Sequence, residues 1–161
     1  MNIAIREMQE NEYFLLNEFL YQAIFQREED SLLPRNVIEQ EELQRYIKNF
    51  GSGKDDHCIC AEDQDSSNIV GAVWVRNIDG YGSIDDYTPE FSISIDKDYR
   101  GLGIGTRLMK EMLDLLKKKG YEKASLSVQK DNYALNLYQN VGFSVAMEKE
   151  EDYIMVWNAC Q

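Results

Sequence analysis

Phe91 to Lys119, FSISIDKDYRGLGIGTRLMKEMLDLLKKK, is the stretch that decides the fold. It opens on alternating apolar residues, which read as a strand. It then crosses the glycine-rich segment Arg100-Gly101-Leu102-Gly103-Ile104-Gly105-Thr106 and continues with Leu108, Met109, Met112, Leu113, Leu115 and Leu116 at helical spacing. That broad apolar face predicts a helix packed hard against a sheet. The helix begins within the glycines. Free backbone N–H groups at a helix start, backed by the positive end of the helix dipole, suit a phosphate or pyrophosphate. Glycine lets that backbone approach an anion because no Cβ intervenes.

Upstream, Asn2 to Glu7 alternates as a strand, and Asn11 to Phe25 carries apolar residues at helical spacing. Residues 26–37 are charged, contain Pro34 and read as a loop. A second helix is expected from Ile38 to Phe50, ended by Gly51-Ser52-Gly53. His57 to Glu62 and Asn68 to Asn77 read as a hairpin, and 79–87 (DGYGSIDDY) as a polar loop before a strand at Glu90 to Asp96. Downstream come a strand at Lys123 to Gln129 and a short helix at Asn132 to Val141. Two strands follow, Phe143 to Met147 and Tyr153 to Trp157. The order predicts an α/β fold over residues 1–161 in one domain, a mixed sheet with helices on its faces.

Seventeen basic against 29 acidic residues give a formal charge of −12. Such a surface repels nucleic acid and anionic membranes, whose binding relies on clustered Lys and Arg, and is compatible with a cationic substrate. Three cysteines form no disulfide framework. Cys58 and Cys60, two apart on a strand, read as buried thiols, and a single histidine, His57, argues against a zinc site. The N-terminal residues lack a basic segment followed by a long apolar one, and no apolar run spans a bilayer, so a cytoplasmic protein is expected.

Two other glycine motifs fit poorly. A P-loop requires Lys-Ser/Thr after its last glycine, whereas Gly105 precedes Thr106 and Arg107. The dinucleotide fingerprint requires glycine where Thr106 stands. Arg100-Gly101-Leu102-Gly103-Ile104-Gly105 instead resembles the Arg/Gln-x-x-Gly-x-Gly/Ala signature of the GCN5-related N-acetyltransferases, the GNAT superfamily. Asn132-Tyr133-Ala134-Leu135-Asn136-Leu137-Tyr138, followed by Gly142-Phe143, looks like that family's second segment, and the element order agrees along nearly the whole chain.

The resemblance implies the acyl-CoA N-acyltransferase fold, with about seven strands and about four helices, and acetyl-CoA as co-substrate. Its pyrophosphate would rest on the amides of Leu102 to Thr106, with Gly101, Gly103, Ile104 and Gly105 giving close approach and Arg100 adding charge. Its pantetheine arm would pair as an added strand between 90–96 and 123–129, so Ile93, Ile95 and Val128 count by position. Asn132 either contacts that arm or caps a helix. Tyr138 is the candidate proton donor to the departing sulfur, with a half-buried core tyrosine as the plainer reading. Glu90 is the candidate base, direct or through water, its pKa raised between Pro89 and Phe91; a solvated strand-end glutamate is the alternative.

The implied activity is direct transfer of an acetyl group to a primary amine, in a ternary complex. The alternative is an acyl-CoA-binding sensor of the same fold without turnover. The acceptor site is expected at about residues 21–37 and 79–87, where Glu28, Glu29, Asp30, Asp85 and Asp86 would favour a cation. Tyr21, Phe25, Trp74 and Tyr81 either line a pocket or pack in the core. Exposed terminal strands are compatible with a homodimer.

Overall fold

The computed structural model describes residues 2–24 and 34–160. Among them seven strands form one sheet: β1 (Ile3–Glu7), β2 (His57–Asp63), β3 (Asn68–Arg76), β4 (Glu90–Ile95), β5 (Lys123–Gln129), β6 (Ser144–Glu148) and β7 (Asp152–Asn158). Their spatial order is β1-β2-β3-β4-β5-β7-β6. Every neighbouring pair is antiparallel except β4 and β5, which run parallel. The α-helices among the described residues are α1 (Leu16–Ala23), α2 (Glu41–Gln44), α3 (Ile104–Lys118) and α4 (Leu135–Asn140). None is long and apolar enough to cross a membrane.

The near-continuous apolar runs of β2 and β3 follow from covering both faces of the sheet. Ile59, Ala61, Val73 and Val75 join the core under α3, where Leu108, Met109, Met112 and Leu116 are fully buried. Burying each such side chain stabilises the fold by roughly 1.5–3 kcal/mol. Their neighbours Cys58, Cys60, Ala72 and Trp74 point the other way, onto Leu16, Phe19 and Leu20 of α1 and onto Tyr46 and Ile47. Both cysteines on that face are buried free thiols.

The second helix departs from its expected span. Arg35–Glu39 is a 3-10 turn, α2 is four residues long, and 45–50 continue as tight turns. A competing donor accounts for this. The buried guanidinium of Arg76 on β3 takes the carbonyls of Arg45 (3.2 Å) and Lys48 (2.7 Å), while Asp56 holds it from the other side at 3.0 and 3.1 Å. Carbonyls engaged by Arg76 are turned away from an α-helical ladder. The chain then leaves through Asn49 and Gly51, both at positive φ. The first helix likewise begins as a 3-10 turn, Glu10–Leu15. The last is shortened at its start because Asn132 Oδ1 accepts the Ala134 N–H at 2.8 Å, closing a turn instead.

One feature of the sheet positions the site. β4 and β5 pair only at Glu90 with Ser125, and the Ser125 N–H donates to the Pro89 carbonyl at 3.0 Å. Beyond that point the two parallel strands separate.

Candidate active site

A cleft of about 380 Å³ opens where β4 and β5 diverge. Glu90, Ile93, Val128, Asn132 and Tyr138, picked from five separate sequence positions, all line it. One end is walled by α1, the 35–39 turn, α2 and the loop before β4; the other by Ser127 to Gln129, Asn132 and Tyr138. Ile95 is not on this cleft. Its side chain lies against Gly105, where a Cβ would stand 3.2 Å from Ile95 Cδ1 and 3.3 Å from Leu137.

Glu90 is 3% exposed although it begins a strand. Tyr46 Oη donates to its Oε2 at 2.5 Å, and the Tyr81 N–H donates in turn to Tyr46 Oη at 2.9 Å. Glu90 Oε1 is buried with no hydrogen-bond partner among the described residues. Burial pushes the carboxyl up to about 7, against the opposing pull of the Tyr46 hydroxyl. Burial, reinforced by the Glu90 charge, also pushes the Tyr46 phenol up, so Tyr46 remains the donor.

The loop 77–89 folds onto this carboxylate with no space to spare. A Cβ on Gly80 would sit 2.5 Å from Glu90 Oε1 and 2.6 Å from Tyr46 Oη. One on Gly82 would sit 2.7 Å from the Leu126 carbonyl carbon and the Ser127 nitrogen. Ser83 ties the loop to itself, accepting from the Gly80 N–H at 2.8 Å and donating to the Ile78 carbonyl at 2.5 Å.

The glycine segment before α3 is built differently. Gly101 (φ 77°) and Gly103 (φ 82°) lie in the left-handed region, and a Cβ on either would meet nothing within 4 Å. Gly103 caps α3, and the first intrahelical bond runs from the Arg107 N–H to the Gly103 carbonyl at 3.2 Å. The amides of Ile104, Gly105 and Thr106 therefore head the helix, and Leu102 is exposed beside them. Arg100 anchors the loop, its Nε donating to the Ile95 carbonyl at 3.0 Å. Burial pushes the Tyr138 phenol up to about 12, so it carries its proton at neutral pH.

This chain matches the acetyltransferase (GNAT) family over residues 18–143. The chain belongs to the GNAT acetyltransferase family. It is 34% identical over 87 residues to the uncharacterized N-acetyltransferase YobR of Bacillus subtilis, covering 53% of this chain and 32% of YobR. It is 34% identical over 64 residues to the ribosomal protein bS18-alanine N-acetyltransferase of Escherichia coli, covering 39% of this chain and 43% of that protein. The matches thus span less than half of either curated relative. In structure it resembles the PaiA N-acetyltransferase of Thermoplasma acidophilum, solved in complex with coenzyme A. The TM-score is 0.72 at 22% identity over 98% of this chain and 99% of that one. That likeness establishes the GNAT fold, a seven-stranded mixed sheet with helices on both faces.

Within this GNAT site, sequence reasoning missed Tyr46, which lies inside the span 38–50 expected as one helix and at helical spacing falls on the same face as Leu43, Ile47 and Phe50. It also passed over Gly80 and Gly82; a glycine pair two residues apart just before the candidate base was the available signal. Of the aromatic residues weighed for the pocket, Tyr81 lines the cleft. Trp74 is core, its Nε1 donating to the Tyr46 carbonyl at 3.1 Å. Tyr21 lies under the Arg35 guanidinium at 4.3 Å. Asp85 is occupied by its own loop, its Oδ1 accepting the Tyr87 and Thr88 N–H groups, both at 2.8 Å. Phe25, Glu28, Glu29 and Asp30 lie outside the described residues. His57 is half-buried near Tyr121, away from the cleft.

Proposed function

We propose that residues 1–161 act as one N-acetyltransferase domain that moves the acetyl group of acetyl-CoA directly onto a primary amine within a ternary complex. The observation that carries this reading is the buried, unpartnered Oε1 of Glu90 in the same cleft as the protonated phenol of Tyr138. A base and an acid thus flank one space, as acyl transfer to an amine requires.

The residues fit acetyl-CoA. The open backbone at Gly101 and Gly103 and the amides heading α3 suit its pyrophosphate, with Arg100 alongside. The unpaired facing edges of β4 and β5, at Ile93, Ile95 and Val128, suit an extended amide-bearing arm, with Asn132 at its side. Bound there, acetyl-CoA supplies an acetyl group activated as a thioester. Glu90 Oε1 takes a proton from the incoming ammonium, directly or through water, and the freed nitrogen attacks the acyl carbon as the carbon–sulfur bond breaks. Tyr138 donates toward the departing sulfur and recovers its proton from the reacting amine or solvent. Each ammonium gives up two protons, one matching the thiol formed and one reaching solvent.

Calorimetry with acetyl-CoA, paired with thiol release on a panel of amines, tests this. Saturable binding with amine-dependent release is expected. Binding without release for any amine would favour the sensor reading, and absence of both would overturn the cofactor assignment.

A further inference from the structure

The acceptor end of the cleft is built from side chains that proton transfer alone does not require. Leu20, Ile24 and Leu43 line it, together with the ring of Tyr81. Tyr81 is held by its backbone N–H on Tyr46 Oη, and its ring lies 6.4 Å from the Tyr46 ring at 14°. Despite that anchoring it is 52% exposed, presenting a fixed aromatic surface rather than packing into the core. Among the described residues, Glu90 Oε1 is a buried polar atom at this end with no hydrogen-bond partner. Nearby acids are already engaged by the protein: Asp85 by the Tyr87 and Thr88 amides, Glu18 by Arg35.

We infer that the acceptor is a primary amine bearing a single positive charge on an apolar or aromatic body. The ammonium lies at the Glu90 end of the cleft and the body lies between Leu20, Ile24 and Leu43 and the ring of Tyr81. This rests on the acetyltransferase reading proposed above and names its substrate class. A second ammonium against the aliphatic wall would lose its hydration without a countercharge. An apolar body instead gains by leaving water, and the Tyr81 face accepts an aromatic ring or an approaching cation. Besides Glu90 the described lining holds one further acid, Asp152, which stands on β7 opposite Gln129 and not beside Leu20, Ile24 and Leu43.

Thiol release by the unmodified protein tests this with matched amines. Hexylamine and cadaverine are similar in length but differ in one terminal ammonium, and phenethylamine adds an aromatic body. Hexylamine and phenethylamine are expected to exceed cadaverine and spermidine by about tenfold or more in kcat/KM, the scale of a methylene or two moved into an apolar pocket. Tyr81→Ala should raise KM for phenethylamine about tenfold while the calorimetric Kd for acetyl-CoA stays unchanged. Equal or better turnover of cadaverine or spermidine overturns the inference and leaves the acetyltransferase reading standing. An unchanged KM in Tyr81→Ala overturns it too. If acetyl-CoA fails to bind and no amine releases thiol, the parent reading fails and this inference falls with it.

Discussion

Two glycine loops meet at the cleft, and they contain glycine for opposite reasons. Around Gly101 and Gly103 the space a Cβ would fill is empty, and positive φ demands the residue. Around Gly80 and Gly82 that space is taken by protein atoms at 2.5–2.7 Å. The first loop exposes its backbone to whatever approaches the head of α3. The second presses its backbone onto Glu90 and β5 and buries the carboxylate. One loop leaves its backbone open, as the proposed pyrophosphate site requires, and the other packs around an acid and perturbs it. The perturbation follows from burial, which disfavours the carboxylate form.

The strongest way to break this contrast is to remove the acid. Glu90→Gln should lower kcat by about 10²–10³ at neutral pH, the usual weight of a positioned base, without changing acetyl-CoA affinity. Because burial pushes the carboxyl up to about 7 and the proposed base acts deprotonated, the parent rate should rise through that pH and level above it. Glu90→Gln should flatten that rise. Stability should move the other way. A carboxyl raised above its unfolded value near 4.5 binds its proton more tightly in the folded state, so stability falls as pH climbs from there to about 7. The amide lacks that penalty and should gain roughly 1–3 kcal/mol above pH 7 in urea unfolding. An unaltered pH profile would remove Glu90 from proton transfer.

Tyr138→Phe probes the opposite side of the cleft. Its kcat should fall about tenfold to a hundredfold, within or just below the range of a single proton donor. Acetyl-CoA affinity should hold in calorimetry. Equal turnover by the phenylalanine variant would make Tyr138 a packing residue only.

The loops themselves separate next. Gly82→Ala drives a methyl into the β5 backbone and should destabilise the fold by about 2–3 kcal/mol, as overpacking does. Gly101→Ala faces open space, so its cost is the left-handed backbone alone, about 1–2 kcal/mol, and its larger effect should be weakened acetyl-CoA binding. Urea midpoints and calorimetry on the pair decide the matter. If Gly82→Ala proves as mild as Gly101→Ala, the packed loop is softer than its geometry implies.

The same contrast explains what could be read in advance. The strand, glycine segment and helix from 91 to 118 are specified by neighbours: alternation, positive-φ glycines and an apolar face all lie within 30 residues of one another. The seven strands and the positions of Glu90 and Tyr138 on one cleft follow from such local patterns joined in the order the family motif suggested. Tyr46 does not. It reaches Glu90 across 44 residues, from a turn that exists because Arg76 on β3 captures the carbonyls of Arg45 and Lys48. Helical periodicity over 38–50 contains no trace of that capture. The crowding at Gly80 and Gly82 also comes from distant chain, Tyr46 and β5, and a glycine in a polar loop looks the same whether its surroundings are empty or full.

Tyr46→Phe gives the smallest expected effect and the sharpest reading of the packed loop. The Tyr46 hydroxyl stabilises the charged carboxylate, so its loss should raise the Glu90 pKa and move the rising limb of the pH–rate profile to higher pH. A hydrogen bond to a charged group contributes about 1.5–3 kcal/mol, or about 1–2 pH units at 1.36 kcal/mol each. Water entering the vacated position would reduce the shift toward the lower figure. Rate at the high-pH plateau should change little, because the base itself remains, and the difference from the parent should close only above about pH 9–10, one unit or so beyond the shifted limb. A purely structural tyrosine would instead lower the plateau or the folded fraction at every pH. A limb that stays in place would mean the buried carboxylate is held by the loop's packing and not by the Tyr46 hydroxyl.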